Sequence, residues 1–281
     1  MCELLGLSSN QPATVSLSIG ALASHGSVAG TLKDGWGVAY CEGPDVRLIK
    51  DAEPAGESDW LRFIREHSLR SNIVMAHVRT ATIGRRAYRN TQPFVRELAG
   101  RMHVFAHNGW LPHIFDGRAF ASAQFNPVGD TDSEKAFCGL LEQIKCVWLR
   151  AGTIPPLEER LSIVAAFAMA LRTLGPANFL YSDGDALFAH GHRRMQAATS
   201  KVEPPGLVYL QRACPHTEHP ATVSGLSIHS PDQSVALVAS VPLNDEPWIP
   251  LREGEVIAMR NGELIARRVA HHTENSEQIS R

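Results

Sequence analysis

The chain has 281 residues, of which 44% are hydrophobic and 20% charged, and its formal net charge is -2. That length accommodates one large domain or two small ones around a substantial core, while the near-balanced charge gives no footing for nucleic acid or an anionic membrane as partner. The longest purely apolar run, 163–171, falls far short of the ~20 residues that a membrane span requires.

In chain order, residues 2–8 predict a short buried strand, and 14–24 a helix ending near Gly26. A strand pair follows at 37–41 and 46–50, turning around Gly43-Pro44. Residues 58–67 predict a helix capped by Ser58, with Trp60, Leu61 and Ile64 on one face. Two β-rich segments come next, 72–78 and 101–107. Thr131-Asp132-Ser133-Glu134 has the spacing of a capping box, opening a helix to about 145. Pro155-Pro156 starts a second long helix, to about 174, apolar on most sides and therefore expected to be sandwiched. The chain then turns β-rich, with hairpin turns at Asp183-Gly184 and Asn261-Gly262. Strands, two helices and more strands predict an α+β fold with helices packed on antiparallel sheets. Residues 1–270 are expected to form a single domain, and 271–281 a polar, flexible tail.

The five cysteines, Cys2, Cys41, Cys138, Cys146 and Cys214, are odd in number and lack a C-x-x-C spacing. That argues against a disulfide framework or zinc ribbon and for a reducing cytoplasm. No basic segment leads into an apolar block at the N-terminus, so no secretory leader is expected. His103 and His107 share a strand face, but no H-E-x-x-H or carboxylate set accompanies them, so they read as packing residues and no metal is expected. The sequence has neither a P-loop nor G-x-G-x-x-G, and no cofactor is expected.

Cys2 carries the chemistry. Removal of Met1 would make it the N-terminus, where the thiol is a nucleophile and the α-amine, with a pKa of ~7.7, is its base. Four further patterns follow: Asp34-Gly35-Trp36-Gly37, His77-Val78-Arg79-Thr80-Ala81-Thr82, His107-Asn108-Gly109 and Asp130-Thr131-Asp132-Ser133-Glu134. In this order after an N-terminal cysteine, they resemble the glutaminase domain of class II glutamine amidotransferases, in particular the small stand-alone YafJ-like members.

The resemblance implies the N-terminal-nucleophile hydrolase fold, a four-layer αββα sandwich of two antiparallel sheets flanked by helices. It also implies roles. Cys2 would attack the γ-carboxamide of glutamine and form a γ-glutamyl thioester that water hydrolyses. The Asn108 side-chain amide and the Gly109 N–H would form the oxyanion hole, where a glycine admits close approach of the substrate. Arg79 would hold the substrate α-carboxylate by a two-bond fork, Asp132 would receive its α-ammonium, and Thr82 would support the same pocket. Gly37 would let the Asp34–Gly37 segment wall the site closely, although a turn leading into a strand explains that segment equally well. Two positions depart from relatives: Ile83 stands where some class II enzymes have histidine, and Gln92 replaces a common histidine. Both put the acyl acceptor in question.

Three functions are compatible with these residues. One is a glutaminase subunit delivering ammonia to a synthase, which would be a separate protein because the glutaminase domain consumes the chain. Another is a stand-alone hydrolase of γ-glutamyl peptides or thiol intermediates. The third, a non-catalytic scaffold, has no need of Cys2, Arg79, Asn108, Gly109 and Asp132 together.

Overall fold

The computed structural model describes residues 2–14, 34–54, 58–67, 69–79, 85–116, 120–214, 221–223, 226–228 and 233–269. Thr14, the first residue of the helix expected over 14–24, is instead the last of a strand; the rest of that helix, Thr82 with its neighbour Ile83, Met1 and the polar tail at 271–281 lie outside the described residues.

Cys2 leads directly into β1 (Glu3–Thr14), the central strand of a larger sheet. Leu5 and Leu7 face one side of this strand, while Leu4 faces the other. That period-two burial on both faces requires a sheet covered above and below. The strand is longer than the sequence predicts, continuing past an irregularity between Ser8 and Ala13. It is flanked by β4 (Arg70–Val78) and β14 (Gln233–Ala239), both antiparallel. β2 (Trp36–Glu42) and β3 (Asp45–Asp51) extend the sheet beyond β4, joined at Gly43, whose φ is 63°. On the other side lie β11 (Val208–Cys214) and β15 (Ile249–Pro250). The short β12 (Ala221–Val223) and β13 (Leu226–Ile228) attach at the far end of β1.

The second sheet runs β17-β16-β8-β7-β6-β5. Its strands are β5 (Phe94–Leu98), β6 (Arg101–Gly109), β7 (Ala177–Ser182), β8 (Leu187–Gly191), β16 (Glu255–Arg260) and β17 (Glu263–Val269). The expected hairpins join β7 to β8 and β16 to β17. At the second, Asn261 and Gly262 both have positive φ, 52° and 79°, as a tight two-residue turn demands. A two-residue pair, β9 (Arg194–Met195) and β10 (Val202–Glu203), stands apart.

Three cores separate four layers. Leu4, Met75, Val104, Leu180, Leu187 and Val238 fill the space between the sheets. There Gly6 lets the layers close, since a Cβ on it would stand 2.9 Å from both Leu187 and Val238. Outside the larger sheet, Leu61 and Ile64 of α1 (Asp59–His67) join Trp36 and Tyr40. Outside the smaller sheet, α2 (Asp132–Ala151) and α3 (Leu157–Arg172) bury Phe137, Leu141, Val164 and Phe167 against Phe105 and Phe179. The αββα arrangement expected of the sequence is therefore the one observed.

Three local expectations need correction. Trp60 does not share the buried face of α1 but is 56% exposed, its ring edge-on to Phe63. α3 is not enclosed, because it lies in the outer layer beside α2 with Ala166 exposed. The capping box is half formed. Thr131 accepts from the Glu134 N–H at 3.2 Å, but the Glu134 carboxylate takes the N–H groups of Val128 and Gly129 and pairs with Arg96.

Candidate active site

The two sheets bring residues distant in sequence to the start of β1. Cys2 is a half-buried thiol. Its carbonyl accepts a 2.5 Å hydrogen bond from Nδ2 of Asn108, 106 residues away at the end of β6. The same amide reaches Oγ of Ser240 at 3.4 Å. Ser240 is tied to the residues after the thiol: its Oγ accepts from the Leu4 N–H at 3.0 Å, and its own N–H donates to the Leu4 carbonyl at 3.0 Å. Arg194 completes this anchor by donating to the Ser240 carbonyl and by pairing with Glu3 at 2.8 Å. Burial raises the Glu3 carboxyl above its ordinary pKa, against the opposing pull of Arg194. Ser240 and Arg194 carry no motif in the sequence; only the fold assembles them beside Glu3.

Arg79 follows β4, where Val78 pairs with Glu3, so the antiparallel register brings Arg79 across from Cys2. It is 3% exposed. Its backbone N–H donates to the Gly35 carbonyl at 2.8 Å and its Nη1 to the Asp34 carbonyl at 3.3 Å. The Asp34-Gly35 segment therefore holds this arginine in place. Asp132, the first residue of α2, is buried and accepts from the Leu111 N–H at 2.9 Å through Oδ2 and from the Ser133 N–H at 2.8 Å through Oδ1. The Leu111 bond ties the head of α2 to the chain just beyond Asn108-Gly109.

Gly37 lies in a close approach between chain segments. A Cβ there would stand 2.4 Å from the Gln92 carbonyl and 2.7 Å from Cβ of Lys50, so the close approach is made by protein backbone. Gln92, which in sequence is only a departure from relatives, braces β6. Its Oε1 accepts from the His107 N–H at 2.6 Å and its Nε2 donates to the His107 carbonyl at 3.2 Å. The side chain thus stands in for a missing neighbouring strand beside the last residues of β6.

His107 is buried, its Nδ1 2.9 Å from Oγ of Ser133, and burial holds its pKa below the ordinary value despite the nearby Asp132 charge. His103 packs edge-on against Trp148 and lies 2.7 Å from the Tyr181 hydroxyl. Both histidines act as packing and hydrogen-bonding residues, and among the described residues no group of three or more metal-ligating side chains is assembled. Among those residues, too, no helix is long and apolar enough to cross a membrane.

Comparison with known proteins shows the family of the chain. A family model described as "Glutamine amidotransferases class-II" matches residues 1–281. The chain is 34% identical over 249 residues to a protein of Escherichia coli (strain K12) named "Putative glutamine amidotransferase YafJ", covering 88% of this chain and 93% of that one. A relative of the same description from Haemophilus influenzae is 34% identical over 190 residues, 68% of this chain and 63% of its own length. Among solved structures, a predicted glutamine amidotransferase from Pseudomonas aeruginosa superimposes with a TM-score of 0.67 at 32% identity, over 94% of this chain and all of the other. The glutamine phosphoribosylpyrophosphate amidotransferase of B. subtilis, at 16% identity, shares the fold over 96% of this chain and 50% of its own, with a TM-score of 0.58. The chain belongs to the class II glutamine amidotransferases.

Proposed function

We propose that this amidotransferase hydrolyses the γ-carboxamide of glutamine, or of another γ-glutamyl amide, with Cys2 as its nucleophile. Once Met1 is removed, the Cys2 α-amine takes the thiol proton as Sγ attacks the γ-carbonyl carbon. The tetrahedral oxyanion forms between the Asn108 amide and the Gly109 N–H. Its collapse gives a γ-glutamyl thioester, and ammonia or an amine departs with the proton from the α-ammonium. Water then attacks the thioester, releasing glutamate and restoring the thiol. Arg79 reads the α-carboxylate and Asp132 the α-ammonium of the acyl donor, with Thr82 supporting that pocket. Gly37 contributes indirectly by admitting the Gln92 segment that braces His107.

The observation that carries this reading is the 2.5 Å bond between the Asn108 amide and the backbone of Cys2. It sets the expected oxyanion donor against the expected nucleophile across 106 residues of sequence. The second amide hydrogen, engaged only by the long 3.4 Å contact to Ser240, is the one to turn onto the oxyanion. Activity resides in the 1–270 domain, with a separate synthase receiving the ammonia when glutamine is the donor.

The test is release of glutamate from glutamine and from a panel of γ-glutamyl amides, by wild type and by Cys2→Ser, with intact mass measured on the same preparations. Wild type lacking Met1 should turn over at least one donor, and Cys2→Ser should lose most of that rate. Equal glutamate release by both proteins, or full activity with Met1 retained, would overturn the mechanism.

A further inference from the structure

Resting on the oxyanion assignment above, we propose that Asn178 is the positioning residue that aims the Gly109 N–H at the developing oxyanion. Backbone groups of successive residues on an antiparallel strand face alternate sides. Gln92 binds both the N–H and the carbonyl of His107, so that residue faces away from β7. Asn108 must then face β7, where it pairs with Asn178. Gly109 faces the Gln92 side again, and Trp110 returns to the β7 side, where its N–H donates to the Pro176 carbonyl at 3.2 Å.

The Asn108 carbonyl and the Gly109 N–H are two ends of one planar peptide, pointing in opposite directions. Whatever grips that carbonyl therefore sets the direction of the N–H. Asn178 does so from two groups: its backbone N–H faces that carbonyl in the antiparallel pair, and its side-chain Nδ2 donates to the same oxygen at 3.0 Å. Rotating the peptide would break this bond in a fully buried setting, since Asn178 is 0% exposed.

The clamp is itself fixed. Nδ2 also donates to the Arg193 carbonyl at 2.7 Å, and Oδ1 accepts from the His192 N–H at 2.8 Å. Gly206 closes over it, because a Cβ there would overlap Oδ1. Every polar atom of the side chain is engaged and no rotamer freedom remains. A residue needed only to extend β7 would not require a side chain that grips the one carbonyl coupled to the proposed oxyanion donor.

The experiment uses the full chain with Asn178→Ala and Asn178→Asp. The second keeps the shape and the acceptor for His192 but offers no amide donor to Asn108. Three quantities are read beside the melting temperature: kcat and KM for the best γ-glutamyl donor, affinity for glutamate γ-semialdehyde, and affinity for L-glutamate. The semialdehyde forms a hemithioacetal on Cys2 whose oxygen occupies the oxyanion position. Loss of a whole oxyanion donor costs about 10²–10³ in kcat, so misaiming one should cost about 10- to 100-fold. We expect kcat and semialdehyde affinity to fall together by that factor, with KM and glutamate affinity held within about twofold. Wild-type kcat in both variants, equal losses in all binding constants, or failure of both to fold would overturn the proposal. Asn108→Ala separates this from the broader reading. If it lowers kcat while the Asn178 variants do not, only the positioning role falls; if it too is silent, the oxyanion pair itself is wrong.

Discussion

A cysteine reacts as its thiolate, and the protein sets that fraction differently at each thiol. Burial pushes Cys41 up to about 12 and Cys138 up to about 11, which silences both at neutral pH. Cys146 is exposed but has no glutamine-reading groups proposed around it. A diazo-ketone analogue of glutamine should therefore label Cys2 alone, whereas iodoacetamide should also modify Cys146; peptide mapping that finds the analogue elsewhere would refute the site. Arg79→Lys should weaken turnover about a hundredfold in kcat/KM, equivalent to about 2–3 kcal/mol, since a point charge cannot replace a two-bond fork. Asn108→Ala should act on kcat instead, because its amide meets charge that exists only in the transition state. Steady-state kinetics of the two variants distinguishes these losses. Cys2, Arg79, Asn108, Gly109 and Asp132 could be singled out in the sequence because they stand in motifs that resemble those of the family, and the kinetics above test the roles proposed for them. Gln92, Asn178, Arg194 and Ser240 were not: their chemistry is ordinary amide, guanidinium and hydroxyl bonding, and it is the pairing of β5 with β6, β6 with β7 and β1 with β14 that brings in Gln92, Asn178 and Ser240, while Arg194 arrives on β9.

At the scale of elements, the head of α2 shows how a helix terminus is tied to the chain beside the proposed pocket. Thr131 caps the helix, Asp132 reaches the chain after β6, and Glu134 holds the preceding loop through Val128, Gly129 and Arg96. Glu134 is 1% exposed, so removing its carboxylate strands two backbone donors and a guanidinium. Glu134→Ala should cost about 3 kcal/mol and lower the melting temperature by about 5–10 °C. If the loop carries Asp132 with it, KM for the γ-glutamyl donor should rise more than kcat falls. Unchanged melting and KM would show the loop to be held by other contacts. The start of α2 was legible because Thr131 and Glu134 are three apart, but the destination of the Glu134 carboxylate was not, since nothing local specifies Arg96. Similarly, helical periodicity placed Leu61 and Ile64 on the buried side of α1, yet Trp60 lies outward because the sheet surface meets a narrower stripe than hydrophobicity alone suggests. Both hairpins were legible from Asp183-Gly184 and Asn261-Gly262, although the first closes through the four residues 183–186 and only the second through two. The order of strands across the larger sheet was not, because β1 pairs with β4 and β14 through contacts far apart in sequence.

At the scale of the whole molecule, the layers bury histidines as neutral rings, and this gives the fold an acid limit. Burial is the first cause at each: His77 and His190 are pushed down to about 3, and His103 to about 4. In the unfolded chain the same rings titrate near 6.5. Below that value the unfolded state binds protons that the native state refuses, so stability is full above pH ~6.5 and falls as the pH drops toward 4. At pH 5 each ring contributes a loss on the order of 2 kcal/mol, and three together approach the 5–15 kcal/mol that holds a typical domain folded. Urea unfolding followed at pH 7.5, 6.5, 5.5 and 5.0 should show a slope rising to about three protons or more taken up on unfolding, because His107 and His192, which burial also holds below their ordinary values, add to these three. Depressed carboxylates add to acid lability chiefly below their unfolded values near 4, whereas Glu3, raised by burial, binds its proton more readily in the folded state and offsets part of the histidine slope. His103→Gln should reduce the slope by about one proton if the variant folds, because an amide can still meet the Tyr181 hydroxyl without titrating. A stability that is flat from pH 7.5 to 5.0 would mean that these rings are charged in the folded protein. Activity should fall before the folded fraction seen by circular dichroism does, because the proposed base, an α-amine with an ordinary pKa of ~7.7, is protonated across that range.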